Sequence, residues 1–156
     1  MTRTMAAVRR NRRNRSRAQA LVEFAFVAPL FFLTLFAIID FGRYIYYVQI
    51  LNNAAREGAR YAIVHGSNSF QPTGPGADDP VIASVVQNYA TGVIGTGSVF
   101  VVHSDWRDQT NLANPPSNVR GHVVKVSVTY DFHSLIPVVP IPAITITGES
   151  SLVINN

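Results

Sequence analysis

The sequence predicts an α+β protein in which a long N-terminal transmembrane helix continues into a small extracytoplasmic head. Residues 20–39, ALVEFAFVAPLFFLTLFAII, form an apolar run whose only charge is Glu23. An arginine-rich leader precedes this run, and residues 122–132 alternate between apolar and polar side chains as a half-buried strand does. We expect the head to contain one further helix and an antiparallel sheet of about three strands.

The apolar run is long enough to span a membrane. A helix rises about 1.5 Å per residue and a bilayer core is about 30 Å thick, so about 20 apolar residues cross it. The alternatives are a buried core helix and a cleaved secretory signal. A core helix has a shorter apolar run, and the residues 40–43 that follow, DFGR, do not fit a signal-peptidase site. We therefore predict a retained span that is kinked at Pro29 and bounded by Asp40.

The basic residues are concentrated on one side of the apolar run. Seven of the thirteen lie before it, and no Asp or Glu occurs before Glu23. The positive-inside rule then predicts a single-pass protein of the cytoplasmic membrane, with its N-terminus inside and its head outside. Because topology accounts for these arginines, nucleic acid is not predicted as a partner. We expect a leader over residues 1–18, a long helix over 19–64 and a head over 65–156.

The helix is predicted to run from about residue 21 to residue 64. Beyond the span, apolar side chains recur at steps of three and four, which is typical of an amphipathic helix. Small residues line the upper part of this stripe and allow another backbone to approach closely. We predict a subunit contact through them, and packing on the chain's own sheet is the alternative, although both can hold. These residues are Ala55, Gly58, Ala59 and Ala62.

The head has clear local signals for a second helix. Asp79 suits its N-cap, Pro80 its first turn and Gly92 its end. Strands are predicted over 99–103, 122–132 and 144–154. Trp106, placed in a loop, either contacts a partner or covers the core. The apolar connector over 135–142 contains three prolines, so we expect it to be extended, either near the membrane or a partner or packed on its own domain.

No active site is predicted. The histidines do not have the spacing of a metal site, and the absence of cysteine excludes disulfides and thiolate–metal sites. Asp78 and Asp79 suit a loop and a helix cap better than a calcium site or an acid/base pair. We therefore expect no enzyme activity, no metal, no cofactor and no small-molecule substrate. A membrane-tethered enzyme would need a set of catalytic residues that the sequence does not offer.

Glu23 lies inside the span, where an ionisable group is costly and therefore a functional candidate, with extension to the lipid headgroups as the alternative. Residues 18–24, AQALVEF, resemble the type IV prepilin processing site. Together with Pro29, DFGR over 40–43 and NAAREGARYA over 53–62, they identify residues 17–64 as similar to the TadE-like family. That family comprises small pilin-like proteins of tight-adherence pilus assembly.

The resemblance implies a membrane-anchored, pilin-like subunit that takes part in assembling a tight-adherence type IV pilus. A prepilin-type peptidase would cut between Ala18 and Gln19, although the family's usual residue before the cut is glycine. Glu23 would then stand fifth in the mature chain and attract the new amine of a neighbouring subunit. The implied partners are the lipid bilayer, that peptidase, other pilin-like subunits and the assembly machinery. The alternative is a membrane-fixed scaffold or binding protein that does not enter the fibre.

Overall fold

The computed structural model describes residues 3–94, 100–108, 116–135 and 142–155, with side chains described from residue 18 onward. For these residues the predicted α+β class is confirmed, with a long apolar helix, one further helix and three antiparallel strands. The elements in chain order are α1 (Arg3–Val64), α2 (Pro80–Ile94), β1 (Val101–Arg107), β2 (Val123–Phe132) and β3 (Ile144–Val153).

Helix α1 has 62 residues and continues through Pro29. It ends at Val64 as predicted but begins at Arg3, so the prediction of a start near residue 21 was wrong. The leader is rich in Arg and Ala, and both residue types have high intrinsic helix propensity, which explains the earlier start.

The described residues fall into two compact units. The first contains the chain up to Phe41 together with Leu135, and the second contains the remaining described residues from Gly42 onward. The buried hydrophobic cluster, which includes Leu51 and Trp106, belongs to the second unit.

The sheet of the second unit has the order β1-β2-β3, and both pairings are antiparallel. Strand β2 is central and confirms the predicted alternation, because Val124, Val126 and Val128 are fully buried while the intervening side chains are not. On the polar face, Lys125 forms a 2.9 Å ion pair with Glu149 of β3. The apolar face therefore points to the helices.

Two glycines allow the backbone elements of this unit to pack closely. A Cβ at Gly148 would overlap the backbone of Leu51, so only glycine lets β3 lie directly against α1. A Cβ at Gly58 would lie 2.5 Å from Cγ2 of Val86, so α1 and α2 also meet at close range. Asn52 joins the same contact, since its side-chain oxygen accepts the N–H of Glu149 at 3.3 Å.

Helix α2 begins as predicted, because Asp79 accepts the N–H groups of Val81 and Ile82 at 2.8 and 3.4 Å. The predicted end at Gly92 was wrong, since α2 continues to Ile94.

Strand β1 starts two residues later than predicted and extends to Arg107, so Trp106 lies in a strand rather than a loop. Trp106 is only 1% exposed, which selects the core alternative. Residues 136–141 of the predicted connector lie outside the described residues.

Candidate membrane span and subunit contact site

Residues 20–39 of α1 expose apolar side chains on every side. Its most hydrophobic 18-residue stretch has a mean hydropathy of 2.4, and none of that stretch is buried. Phe26 and Leu30, for example, are 77% and 68% exposed. A helix that is apolar all round belongs in a protein core or a bilayer. The described part of this chain does not cover it, which supports membrane anchoring.

Two polar side chains within this stretch are accommodated differently. The hydroxyl of Thr34 donates to the carbonyl of Leu30 at 2.9 Å, so this group is satisfied within the helix. Glu23 is exposed and has no hydrogen-bond or ion-pair partner among the described residues. An unpaired carboxylate in an apolar medium is costly, and a contact of Glu23 with another subunit stays a prediction.

The predicted processing residues lie at the start of the exposed stretch. Ala18 and Gln19 are both exposed on α1. Gln19 and Glu23 are four residues apart and therefore share one face of the helix. Cleavage at Ala18 stays a prediction, as does a kink at Pro29.

The small residues of the upper helix face inward. Ala55, Ala59 and Ala62 are fully buried, and they belong to the hydrophobic cluster that also contains the buried side chains of α2 and β2. A Cβ at Gly58 would press on side chains of both elements. The stripe thus packs on its own chain, which is the alternative that the sequence left open, and a contact of these residues with another subunit stays a prediction. The opposite face of α1 is exposed at Gln49, Asn53, Arg56, Glu57 and Arg60.

Asp40 ends the apolar stretch and has a partner far away in the sequence. It is 8% exposed, and both of its carboxylate oxygens accept the N–H of Leu135, at 3.1 and 3.0 Å. Hydrogen bonds from a backbone amide partly offset the cost of burying a charge. Sequence reasoning treated Asp40 as a boundary residue and missed Leu135, because no local pattern relates positions 95 residues apart.

Aromatic rings connect α1 to β2 just after Gly42, where the second unit begins. Tyr44 and Tyr47 meet Phe132 edge to face, with ring centres 5.9 and 5.7 Å apart, and the guanidinium of Arg43 lies 5.2 Å from the same ring. Burial raises the pKa of the Tyr130 phenol above its usual value, with a further increase from Tyr47 and an opposing effect of Arg43. These rings fix the helix to the sheet.

The remaining carboxylates of the head have local structural partners. Besides capping α2, Asp79 accepts the N–H of Gly74 at 2.6 Å, and its own N–H donates to Ser104 Oγ at 2.8 Å. Asp78 forms a 2.8 Å surface pair with His103. Within the described ranges, no group of three or more His, Cys, Asp or Glu side chains is placed to hold a metal ion.

Comparison with known protein families gives a match within α1. A family model described as TadE-like protein matches residues 18–60, which include the exposed apolar stretch and the buried small-residue stripe up to Ala59. No curated protein and no solved structure matches the chain. The match covers 43 of the chain's 156 residues and does not include the head. Residues 18–60 are thus similar to TadE-like proteins, as the motifs predicted.

Proposed function

We propose that this chain is a membrane-anchored, pilin-like subunit, a minor pilin or pseudopilin, that takes part in assembling a tight-adherence type IV pilus. The observation that carries the proposal is the exposed apolar stretch inside the family match, whose one carboxylate, Glu23, has no partner among the residues that the structure describes. A bilayer supplies the medium that this stretch requires before assembly, and neighbouring subunits supply it afterwards.

The proposed topology follows from charge. The leader over residues 1–18 stays in the cytoplasm, the long helix over 19–64 crosses the inner membrane once, and the head over 65–156 lies outside. A prepilin-type peptidase acts at the cytoplasmic boundary, where it cuts between Ala18 and Gln19.

The cut would create a charged partner for Glu23. A new amine at Gln19 carries a positive charge, and opposite charges attract strongly in a medium of low dielectric, where each alone is costly. Pairing the amine of one subunit with Glu23 of its neighbour would bring two apolar stretches together in a fixed register.

Sequencing the mature N-terminus from isolated membranes tests the processing step. We expect a start at Gln19, whereas a start at Met1 or Thr2 would remove the claim. Ala18→Gly should be cut at least as efficiently as the wild type, and Ala18→Phe should remain uncut because its side chain is large.

Fractionation of sheared cells tests entry into the fibre. We expect the chain in sheared surface material and its loss from that fraction in Glu23→Gln. Glu57→Gln is the matched control, because Glu57 is an exposed carboxylate on the same helix outside the apolar stretch. Recovery of the wild-type chain from membranes alone would favour the fixed scaffold, whose specific support is Ala18 in place of the usual glycine.

A further inference from the structure

We propose that Leu135 makes a second contact with the lipid bilayer, at the boundary where α1 leaves the membrane. The inference rests on the membrane anchoring proposed above. It assigns a lipid-binding role to a residue that lies far from the apolar stretch in sequence.

The depth of Leu135 follows from Asp40. The 20 residues of the run 20–39 extend about 30 Å as a helix, which matches the bilayer core. Asp40 follows directly and therefore lies at the polar boundary opposite the leader. Because the backbone nitrogen of Leu135 is 3.0 Å from an Asp40 oxygen, Leu135 lies at the same depth.

The chemistry of Leu135 suits that boundary. A backbone N–H near the hydrocarbon must be satisfied within the protein, and the carboxylate of Asp40 satisfies this one. The side chain of Leu135 is apolar and 57% exposed. Phe41 and Ile38, at the same end of the apolar stretch of α1, are 65% and 66% exposed.

The sequence after Leu135 has the same character. Residues 136–142 are all Ile, Val or Pro. The occupant is lipid rather than a partner protein because the exposed apolar surface at Leu135 adjoins the end of the apolar stretch of α1, which is itself surrounded by lipid in the proposed topology.

The chain has no cysteine, so single nitroxide labels can be attached without background substitutions. The full chain, labelled at Leu135→Cys and reconstituted in phospholipid vesicles, is compared with Phe26→Cys in the apolar stretch and Ser151→Cys on the exposed polar face of β3. Accessibility to oxygen, which concentrates in lipid, is measured against accessibility to a water-soluble nickel complex. We expect the oxygen-to-nickel ratio at 135 to be several-fold higher than at 151.

Three results would count against the account, each differently. A ratio at 135 equal to that at 151, with a lipid-like ratio at 26, would overturn the Leu135 contact alone. Low accessibility to both reagents at 135 would show a protein contact instead of lipid and would also overturn it. A water-like ratio at 26 would contradict the anchoring proposed above.

A second set of variants tests the positioning role of Asp40. In the Leu135→Cys background, Asp40→Ala should lower the oxygen-to-nickel ratio towards that at 151, because the backbone N–H loses its acceptor. Asp40→Asn keeps one acceptor oxygen and should retain most of the ratio, and Glu57→Ala should not change it. An unchanged ratio in Asp40→Ala, with unaltered Trp106 fluorescence as evidence of a folded head, would show that Asp40 does not position Leu135.

Discussion

Leu30 and Leu51 lie on the same helix, yet Leu30 is 68% exposed and Leu51 is fully buried. From Leu51 to Ala62, the apolar side chains of α1 are buried against the sheet and α2. The apolar side chains of residues 20–39 are not covered by any other residue that the structure describes. One continuous helix therefore carries a surface that packs within the head and an apolar surface that stays exposed in the described structure. The TadE-like match spans both surfaces.

Truncating the two leucines should separate these surfaces most clearly. Leu51→Ala removes a buried side chain and leaves a cavity, so we expect the head to lose about 2–5 kcal/mol of its free energy of unfolding. Leu30→Ala should change it by less than about 0.5 kcal/mol. Trp106 is the chain's single tryptophan and is buried, so its fluorescence during urea unfolding in detergent reports the head. Equal losses of unfolding free energy in the two variants would contradict the division of α1 into a buried part and an exposed part.

Filling the close approach between β3 and α1 should have the next largest effect. Gly148→Ala places a Cβ against the backbone of Leu51, which cannot move away cheaply, so we expect a loss of about 1–3 kcal/mol. Gly92→Ala is the matched control, because its Cβ meets nothing within 4 Å and replaces glycine inside α2. That control should gain about 0.5–1 kcal/mol. A loss in both variants would show that the contact with α1 is not the cause.

Removing the cap of α2 should cost less. Asp79→Ala leaves the N–H groups of Gly74 and Val81 without their acceptor, and we expect a loss of about 0.5–2 kcal/mol. Asp79→Asn retains one capping oxygen and should lose less. Glu57→Ala, on the exposed face of α1, should stay within about 0.5 kcal/mol of the wild type. If Asn and Ala were equally destabilising at position 79, the carboxylate's two oxygens would have a different role from the one described.

The smallest effect should be a decrease in the head's free energy of unfolding at alkaline pH. Burial raises the pKa of Tyr130 in the folded head, whereas an unfolded tyrosine ionises at about 10. The folded state therefore favours the neutral phenol, and its contribution to stability is complete below pH 10 and lost as the pH rises through the folded pKa. Tyr130→Phe should flatten this decline in urea unfolding at pH 9–11. Identical declines in the two proteins would remove Tyr130 as its source.

The sequence predicts elements best where local chemistry decides them. The alternation of β2 and the cap at Asp79 depend on neighbouring residues, and both are present in the structure. Strand β1 was misplaced because its inward positions include the polar Ser104 and its outward ones the apolar Val101, which obscures the alternation. The buried hydroxyl oxygen of Ser104 accepts the backbone N–H of Asp79. Asp79 is 25 residues away in the sequence, so no local pattern shows that Ser104 has this partner.

The candidate site was predictable in the same measure. The apolar stretch and Glu23 follow from composition, and the family motifs lie along one helix. The link between Asp40 and Leu135 depends on how the chain returns after β2, which no local pattern specifies. The inward direction of Gly58 likewise follows from the position of Val86, since small residues suit an internal contact and a subunit contact equally.

The most direct test of the account is whether the apolar stretch of α1, residues 20–39, lies in a bilayer. Membranes from cells that express the full chain are washed with alkaline carbonate and floated on a density gradient. We expect the wild type to float with the vesicles. A variant with Leu30→Arg and Phe31→Arg should be released, because each arginine costs about 2.5–3.5 kcal/mol at the centre of a span. A wild-type chain that is soluble without detergent, or a double variant that floats equally well, would contradict the account.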